Sequence, residues 1–232
     1  MLSVERAAPL ISAVIPSWCE AERIATTVAL CRAVADEVLV ADASSPDGTA
    51  ARAREAGALV VSSELSRGAQ LNAGAAAARG DVLLFVHADV ELPRAARAAI
   101  TAALADPRVV GGNFKLRFVP ETRSARVYTF ANHARRRLFG VYYGDSCIFV
   151  RSATFRALGG FANVPLFEDY EFARRMARAG RTHYLSSTEV RASARRFQAR
   201  PWRTLALWTA LQAAYSLGAS PQRLSRYYAA IR

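Results

Sequence analysis

Carboxylates follow two apolar runs that are typical of buried strands. Asp42 directly follows one run, and Asp89 follows another with His87 between it and the run. Strand alternation would put His87 and Asp89 on one face. Carboxylates in such places accept hydrogen bonds or hold cations, although a histidine beside a loop aspartate is also a common structural pair. Asp42 lies too early to cap the next helix, whereas Asp47 suits a turn or a helix cap.

A second acidic pair, Glu168 and Asp169, opens a segment that is predicted as a helix to Ala179 and that Gly180 closes. Acids are favourable in the first turn of a helix, which explains the pair without any chemistry. A carboxylate placed there could instead take a proton from a hydroxyl group. Both interpretations stay open on these residues alone.

Two common phosphate-binding motifs are absent from the sequence. No G-x-G-x-x-G follows the first predicted strand, and the chain has no G-x-x-x-x-G-K-[ST] loop, its single lysine being Lys115. These absences exclude a nicotinamide dehydrogenase and a P-loop enzyme.

The elements that must position these acids alternate in the first half of the chain, in the pattern of a parallel sheet covered by helices. The predicted strands are Ile11 to Ile15, Glu37 to Ala41, Ala58 to Ser62 and Val82 to Val86; the predicted helices are Glu20 to Ala35, Gly48 to Gly57, Gly68 to Arg79 and Pro93 to Ala105. Ligands of open α/β sheets bind at the carboxyl ends of the strands, so the loops 16–20, 42–47, 63–67 and 87–91 are expected to form a site.

The second half predicts a long strand, a basic helix and further short elements. They are the strand Val110 to Val119, the helices Thr122 to Phe139, Ser152 to Leu158 and Glu168 to Ala179, and the strand Thr182 to Ser186. We therefore expect one α/β domain at 1–190, with a change of pattern at about 110, followed by a basic helical tail at 191–232.

Size agrees with one folded domain, and the excess of basic residues lies in its second half. The 232 residues are 52% hydrophobic, which excludes disorder, and three cysteines exclude a disulfide scaffold. Residues 1–110 hold 10 basic and 13 acidic side chains, residues 111–232 hold 21 and 6, and no acid follows Glu189. This basic half is either a solvated face or a surface for phosphates or an anionic membrane.

The tail has an amphipathic pattern. Leu205, Trp208, Leu211 and Tyr215 are three or four residues apart, with arginines around them. This stripe predicts either packing on the domain or a helix in the plane of a membrane. The start of the chain shows neither a signal peptide nor a membrane anchor, so a cytoplasmic protein is expected, with a peripheral position on the inner face of the plasma membrane as a further expectation.

Six short stretches, taken together, resemble the inverting nucleotide-sugar glycosyltransferases of family 2, which have the GT-A fold. The stretches occur in family order and are Ile11 to Glu20, Asp42 to Thr49, Arg67 to Gly74, His87 to Asp89, Gly159 to Phe161 and Phe167 to Asp169. The motifs R-G-x-Q-x-N and H-A-D resemble those of a subgroup of short bacterial enzymes within this family, described as radical-SAM/selenodomain-associated transferase 2.

The resemblance implies a nucleotide-binding half at about 1–110, an acceptor half at about 111–190, and donor-binding roles for several residues. Pro16 and Glu20 would line the nucleoside pocket, and Asp42 would accept a hydrogen bond from the base or ribose. Arg67 and Asn72 would approach the ribose or diphosphate. Arg195 and Arg196, in the place of a mobile basic loop of the family, are expected to meet the leaving diphosphate.

Asp89 matches the last aspartate of the family's D-x-D motif, which implies a divalent cation held on the nucleotide diphosphate. His87 replaces the first aspartate and Cys19 replaces a usual asparagine. One protein carboxylate with phosphate oxygens suits Mg²⁺, and Mn²⁺ tolerates a nearby imidazole, so the identity of the metal stays open.

On the acceptor side, the resemblance makes Asp169 the general base, with Glu168 beside it. Tyr143, Gly144 and Asp145 would shape the acceptor pocket, although a plain turn also explains Gly144 and Asp145. The sequence thus predicts a metal-assisted, inverting glycosyltransferase.

Two rivals are a sugar-phosphate nucleotidyltransferase and a non-catalytic basic module that binds lipid or nucleic acid. The first needs a glycine-rich basic loop where the chain has Ser17 to Ala21, and the second leaves the acidic strand ends unexplained. The expected partners are a nucleotide-diphosphate sugar and a hydroxyl acceptor, with a lipid-linked acceptor and an anionic membrane surface as alternatives. No nucleic acid is expected.

Overall fold

The computed structural model describes residues 8–195 and 199–228. Its strands are β1 (Ile11–Ser17), β2 (Glu37–Asp42), β3 (Leu59–Ser62), β4 (Val82–Phe85), β5 (Val90–Glu91), β6 (Val109–Val119), β7 (Ile148–Arg151) and β8 (Arg181–Ser193). Its helices are α1 (Ile24–Arg32), α2 (Thr49–Glu55), α3 (Arg67–Ala77), α4 (Ala96–Leu104), α5 (Arg123–Phe139), α6 (Ser152–Ala157), α7 (Glu168–Ala179), α8 (Pro201–Ser216) and α9 (Pro221–Tyr228).

Within the described part of the chain, all the strands join one sheet in the order β3-β2-β1-β4-β7-β6-β8-β5. The first four sheet positions are parallel, as the alternation of strands and helices predicts, and β7 then runs antiparallel to both β4 and β6. The fold is therefore the expected α/β domain of GT-A type, with a mostly parallel sheet between helices.

The sheet buries apolar side chains on both faces, because alternate residues of a strand point to opposite sides. Ile11, Ala13 and Ile15 of β1 belong to one core cluster, whereas Val14 belongs to the other. The second cluster contains Phe85, Phe155, Phe161 and Phe172, whose rings are in mutual contact. These rings join the end of β4 to α6 and α7, and so bring the start of α7 to the sheet edge that carries the predicted site.

Several boundaries differ from those expected. α1 begins at Ile24 rather than Glu20, because the Glu20 carbonyl accepts from the Arg23 amide in a tight turn before the helix. β8 continues to Ser193, well past Ser186, and so crosses the expected start of the tail at 191. Its extra length pairs with β6 and β5, and these partners could not be read from local periodicity.

The pairing of β1 opens the site. β4 follows β1 only as far as the pair Val14 and Phe85, whereas β2 stays paired with β1 to Ser17. Beyond Val14, β1 therefore stays paired with β2 but no longer with β4. Open α/β sheets bind ligands at the carboxyl ends of strands, at a point such as this one.

Candidate active site

A cleft of about 1120 Å³ lies at the carboxyl ends of β1 and β4. The predicted residues that line it are Pro16, Glu20, Arg67, His87, Asp89, Glu168 and Arg195. They come from five separate segments at strand ends and helix starts, so the topology brings together residues that are up to 179 positions apart. Arg196 lies outside the described residues.

Asp42 is buried beside this cleft and already has partners. Its carboxylate accepts from the Ser17 and Ser45 hydroxyls at 3.1 and 2.6 Å and from the Ser45 amide at 2.8 Å. These bonds fix the loop after β2 against the end of β1. Asp47 likewise accepts from Thr49 and from the Ala21 amide, which is the turn role expected of it.

Asn72, which is expected near the ribose or diphosphate, is hydrogen-bonded to the backbone. Its amide nitrogen donates to the Phe161 carbonyl at 2.9 Å, and its amide oxygen accepts from the Phe161 amide at 2.8 Å. Both ends of the side chain thus support the Gly159–Phe161 turn. Its donor-binding role stays a prediction, because the amide keeps a second N–H and a second lone pair.

Three charged side chains meet across the cleft. The Arg195 guanidinium lies 3.2 Å from Glu20 Oε1 and 3.8 Å from Asp89 Oδ2. Asp89 follows β4 and Glu20 follows β1, so Arg195 bridges the two strand ends. A nucleotide diphosphate that enters this cleft meets a cation that is already centred between its two walls.

A second cavity, of about 130 Å³, adjoins the cleft. Arg67, His87 and Glu168 line both spaces, whereas Tyr143, Asp145 and Asp169 line only the second one. Two of the three predicted acceptor residues and the predicted base therefore share one cavity, and Gly144 lies between the two acceptor residues in the chain. We call it the acceptor cavity below.

Gly144 joins the two spaces. Its amide donates to Asp169 Oδ2 at 2.7 Å, and a Cβ built on Gly144 would lie 2.6 Å from His87 Nε2 and 3.2 Å from Asp169 Oδ2. A residue larger than glycine here would require the His87 side chain to shift. The antiparallel pair Phe85 and Ile148 explains this proximity, because it sets the residues before β7 beside those after β4.

The two carboxylates at the start of α7 have different surroundings. Asp169 accepts from the Gly144 amide with one oxygen and from the Tyr170 amide with the other, each at 2.7 Å. Each oxygen has a further lone pair for the cavity. Glu168 faces Arg67 at 3.4 Å; burial raises the pKa of Glu168, the Asp169 charge raises it further, and Arg67 opposes both.

A comparison with protein families decides the affiliation. The model of "Glycosyl transferase family 2" matches residues 12–159 of the chain. The chain belongs to glycosyl transferase family 2. The match includes the strand ends, His87 and Asp89, and it ends before Glu168 and Asp169.

Solved structures agree on the fold of this family 2 protein. Glucosyl-3-phosphoglycerate synthase from Mycobacterium tuberculosis, in complex with Mn²⁺, uridine diphosphate and phosphoglyceric acid, is similar with a TM-score of 0.64 and 20% identity, over 91% of this chain and 78% of that one. Mannosyl-3-phosphoglycerate synthase from Rubrobacter xylanophilus has a TM-score of 0.62 and 17% identity, over 90% and 74% of the two chains. None of the curated protein sequences compared with the chain is significantly similar to it.

Some residues of the family 2 site were not predicted. Tyr128, Asn132 and Arg135 of α5 line the acceptor cavity, as does Trp208 of α8. The first three are four and three residues apart and so share one helix face. That spacing was the available signal, but among the many arginines of α5 nothing in the sequence marks Arg135.

Gln70 was noted only as part of a motif. Its buried side-chain amide donates to the Ser17 carbonyl at 2.6 Å and to the Ala41 carbonyl at 3.1 Å, and it lines the cleft. It thus ties the ends of β1 and β2 together where their pairing stops.

The donor set for a metal ion is small. Within 8–195 and 199–228, no group of three or more His, Cys, Asp or Glu side chains is arranged to hold an ion. Asp89, with an 11% exposed side chain at the cleft, offers one carboxylate. This set fits a cation that takes most of its oxygen ligands from a bound diphosphate.

The tail packs on the domain. Trp208 stacks edge to face on Tyr128 at 5.6 Å, and Tyr215 lies 4.9 Å from Phe167. Leu211 is buried, whereas Trp202 is 58% exposed. Of the two alternatives for the apolar stripe, these contacts favour packing for Trp208, Leu211 and Tyr215. No helix in the described part of the chain has the length and apolar character needed to cross a membrane.

Proposed function

We propose that the protein is an inverting glycosyltransferase that moves a sugar from a nucleotide-diphosphate donor to an acceptor hydroxyl. The observation that carries this proposal is the contact of His87, Gly144 and Asp169, which joins a donor-sized cleft to a cavity with a carboxylate at its entrance. Family membership supports the reaction class.

The donor would occupy the cleft. Pro16 and Glu20 border the position of the nucleoside, and Asp42 would meet its base or ribose through a lone pair that its three hydrogen bonds leave free. Arg67 and Arg195 would bind the diphosphate. Arg195 then exchanges carboxylate partners for phosphate oxygens, so little unpaired charge is created when the donor enters.

Asp89, with the His87 imidazole near it, would hold a divalent cation. Such a cation neutralises the charge of a leaving diphosphate and thereby weakens the bond to the sugar. The mycobacterial neighbour was crystallised with Mn²⁺ and uridine diphosphate, which supports a divalent ion and a nucleotide donor here and leaves Mg²⁺ and Mn²⁺ equally open.

Asp169 would act as the general base. It takes the proton of the acceptor hydroxyl, whose oxygen forms a bond to the anomeric carbon from the face opposite the nucleotide. The bond from the anomeric carbon to the phosphate oxygen breaks, and its electron pair leaves with the nucleoside diphosphate. One displacement of this kind inverts the anomeric configuration.

Two competing functions account for less of the site. A nucleotidyltransferase needs a glycine-rich basic loop after β1, and the loop here holds Trp18 and Glu20. A non-catalytic lipid or nucleic-acid module leaves the carboxylates that line the two spaces, Asp89 and Asp169, without a chemical role. The affiliation to the short radical-SAM-associated subgroup stays a prediction.

Binding to an anionic membrane surface also stays a prediction. It now rests on the exposed apolar residues, because Trp208, Leu211 and Tyr215 pack on the domain. Trp202 is exposed at the start of α8, and Phe130 and Leu138 of α5 are 72% and 73% exposed. Apolar residues beside arginines favour the membrane interface.

The test of the proposed function is a calorimetric titration of uridine, guanosine, adenosine and cytidine diphosphates, with and without Mn²⁺. We expect one nucleotide to bind, with a much higher affinity when Mn²⁺ is present. Turnover of a sugar conjugate of this nucleotide should then release the nucleoside diphosphate. If no nucleotide binds to folded protein with Mn²⁺, the glycosyltransferase proposal is wrong.

A further inference from the structure

We propose that the acceptor is a small hydroxyl-bearing anion whose phosphate or carboxylate binds Arg135. This inference rests on the proposed function, since it names the substrate class of the same site. It is carried by the environment of Arg135, the one arginine of the described cavity lining that does not also line the donor cleft.

Arg135 lines the acceptor cavity and has a buried Nε with no hydrogen-bond partner among the described residues. Its guanidinium lies over the Tyr143 ring, 5.6 Å from the ring centroid. Buried polar atoms almost always have a partner, because an unmade hydrogen bond costs about 1–3 kcal/mol. An arginine held against an aromatic ring in this way is positioned for a ligand, and the two parallel donors of its fork match a carboxylate or a phosphate.

The other cations of the cavity are engaged elsewhere. Arg67 faces the Glu168 carboxylate at 3.4 Å and also lines the donor cleft, as His87 does. Arg135 lines the acceptor cavity and is not among the described lining residues of the cleft. An anion at Arg135 is therefore separate from the diphosphate of the donor.

The geometry also orients the acceptor. Tyr143 contacts Arg135 through its ring, and the next residue, Gly144, donates its amide to Asp169. An acceptor whose anion is held at Arg135 presents its hydroxyl in the same cavity as the base. Trp208 and Leu211 of the tail line this cavity, and its volume of about 130 Å³ favours a small acceptor.

The experiment measures acceptor binding without turnover. Protein is saturated with Mn²⁺ and the nucleoside diphosphate that binds best, and is titrated with glycerol 3-phosphate, glycerate and glycerol. We expect one or both anions to bind and glycerol not to bind. Binding of the phosphate alone or of the carboxylate alone identifies which anion the cavity takes.

The variants place the anion. Arg135→Gln should weaken anion binding by about tenfold to a hundredfold, the value of a charge-assisted hydrogen bond, with nucleotide affinity unchanged. Arg135→Lys keeps the positive charge but loses the two parallel donors of the guanidinium, so its anion affinity should lie between those of Arg135→Gln and the wild type. Arg137→Gln, on an exposed residue of the same helix, is the matched control and should bind like the wild type.

Equal anion affinity in Arg135→Gln, Arg135→Lys and wild type would overturn the inference, as would equal binding of glycerol and the anions. Nucleotide binding without any anion binding would overturn it too and leave the glycosyltransferase proposal intact. If the wild type bound no nucleotide, both the inference about the anion and the glycosyltransferase proposal would be overturned.

Discussion

Replacing Asp169 by asparagine tests the mechanism most directly. Asparagine keeps the size of the side chain and cannot accept the hydroxyl proton, so general-base assistance is lost. We expect kcat to fall by about 10² to 10⁴, which is about 3 to 5 kcal/mol in activation free energy. The affinity for the nucleoside diphosphate should change little, because Asp169 lines the acceptor cavity and not the donor cleft.

The structure also predicts a separate stability cost. Both Asp169 oxygens accept backbone amides, from Gly144 and from Tyr170. Asparagine has one oxygen, so its amino group must face one of these N–H groups. The loss of one charge-assisted bond should lower the free energy of unfolding by about 1.5 to 3 kcal/mol.

The assay is release of nucleoside diphosphate from the sugar conjugate of the best-binding nucleotide, with urea unfolding and calorimetry on the same preparations. Glu168→Gln is the matched neighbour, because it removes a charge beside the base and leaves the base in place. Folded Asp169→Asn that keeps more than a tenth of wild-type kcat would refute the base assignment. A collapse of nucleotide affinity would make Asp169 a binding residue instead.

Four further outcomes are expected. Asp89→Ala should abolish the Mn²⁺-dependent part of nucleotide binding, whereas Glu91→Ala, exposed two residues later, should not; equal titration curves would remove Asp89 as the metal ligand. Gly159 and Gly160 both have positive φ, but a Cβ at Gly160 would lie 2.5 Å from Asn72 Oδ1, whereas a Cβ at Gly159 would meet nothing within 4 Å. Gly160→Ala should therefore lower the free energy of unfolding in urea by about 1 to 3 kcal/mol more than Gly159→Ala does. Because the pKa of Glu168 is raised above its ordinary 4.5, the folded protein binds more protons than the unfolded protein above that pH, and the free energy of unfolding falls as pH rises. Glu168→Gln should make the free energy of unfolding less dependent on pH in this range. An equal pH dependence in the variant and the wild type would contradict this prediction. In flotation with anionic liposomes at low salt, Trp202→Ser should bind less than wild type; no wild-type binding would end the membrane prediction.

The parts of the fold that follow local periodicity could be predicted. Alternating apolar runs and alanine-rich segments gave the parallel half, and its strand ends gave the position of the site. The partners of β7 and β8 could not be predicted, because strand pairing depends on contacts between distant residues. This gap hid the contact of Gly144 with His87, which exists only because β7 returns antiparallel to β4.

The site residues divide in the same way. Side-chain type and position pointed to Asp89 and Asp169, and both line the predicted spaces. Type alone could not predict the backbone contact of Asn72, since an amide suits a ribose and a backbone turn equally well and only the structure shows Phe161 opposite it. Arg135 was missed because the feature that singles it out, a buried nitrogen with no partner, is a property of three-dimensional packing.

One backbone amide links the two halves of the proposed reaction. The Gly144 N–H fixes the Asp169 carboxylate, while the Gly144 Cα lies against the His87 ring beside the donor cleft. Any movement of the loop before β7 would therefore shift the base and the donor wall together. If Asp169 is the base and the cleft takes the donor, strand pairing sets the distance between them, and such fixed alignment contributes to the rate that an enzyme gains from positioning. A side chain at Gly144 would press on the His87 imidazole and disturb this alignment.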